Sequence, residues 1–425
     1  MTATEAAGVY RKISVRLLPL LLMGYGFAFM DRVCISFAAL KMKKELHFSD
    51  AVYGIGAGVF FLSYALCEIP SNLALHYIGA RRWLARIMIT WGLITMLMVI
   101  VRTPFQLYGL RFALGAAEAG FFPGVLLYLT QWFPEQRRAG PISLFYLALP
   151  MSSIVMGASA GLLLGLKGWF GISGWQWLFL VNGFPAVILG LYCLFRLPDS
   201  PDEAPWLTEQ ERTELLQALR SNIDTKKFDQ SSIFLVFKDI RVWQLGVSFL
   251  LVLGSAYAFV FSAPDMLRQK TAFSISGTGL ILAAFNALGA IAMVLNAKSS
   301  DRKAERYWHS VIPGMAMGLS FLIAGFVRSG MGFIAGLACA TVAFYAIQGP
   351  LLSAATGLFR GRQKAVSIAA INSIAAMGGF LGPYCIGIAR NAFISYETIL
   401  KVLAVPPFIF VLILFCINRQ DQSVG

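Results

Sequence analysis

Charged residues are scarce in this sequence, at 13% against the roughly 25% usual in soluble domains, and that shortage excludes an ordinary water-soluble enzyme. Histidine is nearly missing. His47, His76 and His309 all fall in polar connecting stretches, which leaves no histidine relay at the centre of an apolar run. The six cysteines (Cys34, Cys67, Cys193, Cys339, Cys385, Cys416) stand singly, with no CxxC pair and no neighbouring histidine, so neither a disulfide framework nor a metal site is supported. The alternating ten-residue segments of an outer-membrane barrel are absent as well. Basic groups, 35 against 21 acidic ones, are spread through short connections rather than gathered on one module, and no nucleic-acid partner is expected.

What remains is apolar: 58% of the 425 residues are hydrophobic and the mean hydropathy is +0.70. At about 20 residues per crossing, such a chain supplies roughly a dozen spans of a lipid bilayer. Segmenting at charged loops and Gly/Pro punctuation predicts helices over 16–40, 52–75, 83–101, 105–130, 140–165, 176–197, 241–262, 275–297, 309–328, 331–352, 365–389 and 397–417. The start, Met1 to Ala7, is polar and the first apolar run is long enough to span, so no cleavable signal is expected. With both termini cytoplasmic, 23 Lys and Arg lie inside and 10 outside, and Arg32 and Arg111 complete the 35. The positive-inside rule favours that orientation. Lys41, Lys43 and Lys44, placed in the first external loop, run against it.

The fold class expected is an all-α membrane protein: a six-helix bundle over 1–197, a cytoplasmic linker over 198–240, and a second six-helix bundle over 241–425. Thr208 and Glu211 stand at capping-box spacing in the linker, ahead of Leu215, Leu216 and Leu219, and predict a short surface helix. The stretches HYIGARRW after helix two and SSDRKAERYW after helix eight echo one another. Parallel halves with a site between them at mid-membrane are what that symmetry implies.

Four ionisable residues break the apolar runs: Asp31 and Arg32 in helix one, Arg111 and Glu118 in helix four. A charge at bilayer depth costs about 2.5–3.5 kcal/mol on insertion scales, so these residues are the first functional candidates. A rise of 1.5 Å per residue brings Arg32 and Arg111 to similar depths, and Glu118 follows Arg111 by seven residues on nearly the same face. Two guanidiniums at one level are suited to hold a carboxylate, and two acids can change charge with it. Arg32 and Arg111 are therefore expected to bind a small organic anion, and Asp31 and Glu118 to couple it to protons. The rival use is mutual neutralisation, Asp31 with Arg111 and Glu118 with Arg32, holding the first bundle together. Glu68, near the cytoplasmic end of helix two, is expected at a gate, and Tyr64 one turn earlier to reach a ligand. The second half carries no buried charge but offers Asn286, Tyr345, Gln348, Ser353, Asn372, Ser373 and Tyr384. Gln348 and Asn372 are the favoured substrate contacts, because each lies in a Gly-flanked stretch where backbone can open.

With these residues in view, the chain resembles the major facilitator superfamily, and within it the anion:cation symporter family of bacterial organic-acid permeases. The resemblance rests on YGFAFMDRVCISFAAL, YGIGAGVFFLSYALCEIPSNL, GARRWLARIMITWGL, RFALGAAEAGFFPGVLLYLTQWFP and WQWLFLVNGFPAVILG, and it runs over essentially the whole length. It is nearest to tartrate-type and sugar-acid permeases, with galactonate and glucarate carriers further off. In galactonate-type carriers the matching positions serve coupling and substrate binding, which implies those roles for Asp31, Arg32, Arg111, Glu118, Tyr64 and Asn372. Two departures stand out. Asn72 and His76 replace the usual Gly and Asp of the superfamily loop motif, and Cys34 stands where this subgroup often has Asn.

The function expected is proton-coupled import of a small carboxylate by alternating access in the bacterial inner membrane. A monomer is expected, embedded in lipid, with no cofactor beyond the coupling proton, no catalytic residues and no metal. An organophosphate antiporter would need a second anion-binding Arg within helix seven, which Arg241 and Arg268 only bracket. A transporter-like sensor would need a soluble signalling module larger than the linker.

Overall fold

The computed structural model describes residues 3–166, 168–220, 238–271, 273–303, 305–358 and 363–424, nearly all of them helical. The first six spans are built by α1 (Ala3–Glu45), α2 (Asp50–Ile78), α3 (Ala80–Leu97), α4 (Pro104–Glu118) with α5 (Phe121–Thr130), α6 (Glu135–Tyr146) with α7 (Ala148–Gly165), and α8 (Gly174–Arg196). A short helix α9 (Glu209–Arg220) follows. The last six are α10 (Ile240–Lys270), α11 (Ile275–Lys303), α12 (Trp308–Phe326), α13 (Gly330–Leu358), α14 (Gln363–Asn391), and α15 (Tyr396–Leu403) with α16 (Val405–Val424). Twelve of these stretches are long and apolar enough to cross a membrane. The crossings alternate, so the chain has a terminal end, where it starts and stops, and a far end.

Far-end helix starts are written in capping residues. Ser49 accepts from the Val52 N–H to begin α2, and Thr103 with Gln106 forms a reciprocal capping box with Pro104 in the first turn of α4. Ser173 with Gln176 does the same for α8, and Ser395 caps α15.

α1 departs most from expectation. It covers 43 residues rather than 16–40, because its polar first turns leave the apolar layer and hydropathy has nothing to register there. Side-chain contacts hold them instead. Lys12 Nζ bonds Glu211 at 2.8 Å, and the Arg16 guanidinium lies 5.3 Å from the Trp206 ring, which stacks on Trp132. At its other end α1 runs on to Glu45, so Lys41, Lys43 and Lys44 belong to its last turns and not to a loop. The Thr208–Glu211 capping box forms as spaced, and Leu215 is buried beneath α9. The Lys12 ammonium, with help from Thr208, holds the Glu211 carboxyl below its usual range. Residues 221–237 of the expected linker lie outside the described residues.

The halves meet along two seams, α2 against α14 and α7 against α11. Both are made by glycine. A Cβ on Gly54 would come 2.6 Å from the Pro383 carbonyl, one on Gly157 2.5 Å from the Gly279 carbonyl, and one on Gly279 2.0 Å from that of Gly157. Gly378 and Gly379 serve packing too, against Leu250 and Phe61, and α14 stays helical through them. α13 likewise continues across Gly349 and Pro350. The backbone opening expected beside Gln348 and Asn372 is therefore replaced by close helix contact.

Candidate functional site

Asp31 and Arg32 sit on α1, Arg111 and Glu118 on α4, and all four are buried, at 1%, 8%, 0% and 0% exposure. Arg32 reaches Glu118 directly: Nε donates to Oε1 at 2.7 Å and Nη2 donates to the same oxygen. The second carboxylate oxygen of Glu118 has no hydrogen-bond partner. Glu118 is the last residue of α4. Ala119 and Gly120 then interrupt the span, and Gly120 has φ +86° with a Cβ position 2.3 Å from Ser71 Oγ, so glycine is required by both backbone and space.

Arg111 is placed differently. Its Nε donates to the Gly56 carbonyl at 3.2 Å, while Nη1 and Nη2 are buried without hydrogen-bond partners. No ion pair joins it to Asp31, whose Oδ2 accepts from Thr95 Oγ1 at 2.5 Å and whose Oδ1 faces the Cys34 thiol at 3.7 Å. The two guanidiniums share one neighbour, the buried ring of Phe60, with Arg111 Cζ 4.9 Å and Arg32 Cζ 5.4 Å from its centroid. The ring's π face attracts both cations. Of the two, only Arg32 retains exposure, and it lies 4.8 Å from the Tyr64 ring.

Across from Arg32 stands Tyr257 of α10, within electrostatic reach of the guanidinium and 4.5 Å from the Phe61 ring. Tyr257 also lines a cavity between the halves with Ser153, Asn286, Tyr345 and Gln348. Within it Tyr345 donates to Asn286 at 2.8 Å and Asn286 donates to the Leu282 carbonyl, so those two satisfy each other across helices. Gln348 has no such bond. Asn372 is exposed and donates across the halves to Glu68 Oε1 at 3.3 Å, and it is not among the residues lining the Gln348 cavity. Glu118, Tyr64 and Tyr257 thus gather around Arg32, Glu68 with its Asn372 contact lies within electrostatic reach of the same guanidinium, and Gln348 joins them through the cavity it shares with Tyr257.

At the far end the halves are latched. Lys43 Nζ bonds Asp50 at 2.6 Å and Asp265 at 3.3 Å, Tyr396 donates to Asp265 at 2.8 Å, and Arg390 lies 3.9 Å from Asp50. Beneath them the Tyr53 hydroxyl donates to the Phe261 carbonyl at 2.7 Å.

Residues 21–383 match the family described as the Major Facilitator Superfamily. The chain belongs to it. A protein of Agrobacterium vitis named "Putative tartrate transporter" is 43% identical over 383 residues, covering 90% of this chain and 85% of that protein. A Pseudomonas putida protein named "Putative metabolite transport protein NicT" is 37% identical over 393 residues, covering 90% and 88%. The crystal structure of a bacterial homologue of the human lysosomal transporter Spinster shares the fold, with a TM-score of 0.77 over 96% of this chain and 97% of that one at 18% identity. This superfamily member is a multi-pass membrane transport protein and not an enzyme.

Sequence reasoning missed Tyr257 and Phe60. Both are aromatic residues in apolar helices, where packing is the common use, and only the positions of Arg32 and Arg111 single them out. His309, expected in a loop, lies in the first turn of α12, with Nδ1 2.6 Å from Glu305 and Nε2 2.9 Å from Ser299.

Proposed function

We infer that the protein imports a small organic anion, a carboxylate of the tartrate or sugar-acid kind, together with protons. The observation that supports this most is the buried Arg32–Glu118 pair, where one cation has the Tyr64 and Tyr257 side chains on one side and a titratable acid on the other. A substrate carboxylate that takes the Arg32 fork leaves Glu118 without its counter-charge in a buried site, and a proton then neutralises it. Asp31, held by Thr95, is the second proton carrier of this reading, and Arg111 the second fixed cation. Gln348 and Asn372 offer neutral hydrogen bonds from the other half, and Glu68 with Asn372 forms a contact that opens and closes with it. The termini lie in the cytoplasm of a bacterial inner-membrane protein, and the bundles 1–197 and 241–425 rock about the site, joined by 198–240.

Glu118→Gln is expected to keep exchange of labelled tartrate across proteoliposomes while losing accumulation driven by a pH gradient. Full concentrative uptake by that variant would remove Glu118 from the coupling. Thermal stabilisation of the purified protein by tartrate, aldonates, aldarates, phthalate and hydroxyphenylacetate at two pH values tests the substrate class. Stabilisation by neutral sugars and by no carboxylate would overturn the anion reading. No arginine lies in the middle of α10, whose Arg241 and Arg268 occupy its first and last turns, and this disfavours an organophosphate antiporter.

A further inference from the structure

The three lysines that run against the topology rule, Lys41, Lys43 and Lys44, need an explanation that orientation does not supply. Two of them line a vestibule of about 580 Å³ at the far end, between the last turns of α1, α10 and α14. Four cations meet there, Lys43, Lys44, Arg268 and Arg390, against two carboxylates, Asp50 and Asp265. The acids are engaged by Lys43 and Arg390 in the latch. Lys44 and Arg268 are exposed and make no ion pair or hydrogen bond among the described residues. A concave surface with low-dielectric walls and unbalanced positive charge concentrates small anions from solution.

We propose that this vestibule is an outer docking site for a small carboxylate, held by Lys44 and Arg268 in front of the Lys43 and Arg390 latch. The proposal rests on the import reading, which puts the far end outside. Size fits, since ligand sites fall in the range of about 300–1,000 Å³. Position fits as well. A second, narrower cavity shares Lys43, Asp50, Asp265 and Arg390 with the vestibule and is lined by Ser36 and Tyr53 as well, so the latch residues border both. A carboxylate at the mouth also competes with Asp50 and Asp265 for Lys43 and Arg390. Docking therefore loosens the contact that closes the far end.

The vestibule's charge can be measured without transport, on the full chain with its six native cysteines replaced by serine and Phe393→Cys as the sole thiol. Phe393 lines the vestibule and is 94% exposed. Labelled from outside in right-side-out vesicles, that thiol is expected to react several-fold faster with a negatively charged methanethiosulfonate than with a positively charged one. Lys44→Gln with Arg268→Gln removes the preference, and millimolar tartrate slows the labelling only when both cations are present. In uptake assays the same double variant raises KM for tartrate several-fold, leaves the maximal rate unchanged, and flattens the rise of KM with ionic strength. Equal rates for the two reagents, or a preference and a KM indifferent to the double substitution, would overturn the proposal. Reagent preference and tartrate protection in a protein that accumulates no carboxylate would sink the import reading and leave the docking site standing.

Discussion

Arg32→Ala is expected to abolish tartrate uptake at every accessible concentration and to lower the melting temperature of the purified protein. Two losses combine. The variant removes the only guanidinium of the central pair that keeps exposure toward the other half, and it strands Glu118, which is fully buried. Removing one partner of a buried ion pair destabilises by about 3–5 kcal/mol, most of it from the charge left behind. The double variant Arg32→Ala with Glu118→Gln separates the two effects, because it leaves no stranded charge. It should regain most of the melting temperature and none of the labelled-tartrate exchange that Glu118→Gln alone retains. Arg32→Lys keeps a cation without the planar fork and should retain only weak uptake. Exchange by the double variant as fast as by Glu118→Gln would show that Arg32 holds the bundle together and does not meet the substrate.

The second large effect is expected at the α7–α11 seam. Gly157→Val puts a branched side chain where the Gly279 carbonyl already lies 2.5 Å from a Cβ, and a backbone oxygen cannot turn aside as a side chain can. Overpacking of this kind costs about 1–3 kcal/mol. If the seam opens to relieve it, the closed far end loses about five- to 150-fold in population. Uptake should fall accordingly, and a cysteine at Tyr53, 8% exposed in the closed arrangement, should label faster from outside. Gly157→Ala should do the same more weakly. Normal uptake with unchanged labelling would mean that the seam stays closed throughout transport.

The spans were legible in the sequence because a helix crossing lipid must be apolar for its whole length, and a charge within it stands out. Asp31, Arg32, Arg111 and Glu118 were found for that reason. Partner choice was harder to read. That Arg32 meets Glu118 while Asp31 takes Thr95 depends on rotations of α1, α3 and α4 about one another, which no local pattern records. The polar first turns of α1 escaped because their stability comes from Glu211 and Trp206, about 200 positions away in the chain. Tyr257 and the glycine seams escaped for a related reason: each acquires its role only when the second half is laid against the first.

The interruption after Glu118 carries a mechanical consequence. The backbone ladder of that span stops at the bond from Ala119 N–H to the Gly115 carbonyl and resumes from Gly124 to Gly120. α5 can therefore tilt about Gly120 without stretching a continuous row of hydrogen bonds. A tilt of α5 at this joint would leave Glu118, on its other side, in place against Arg32.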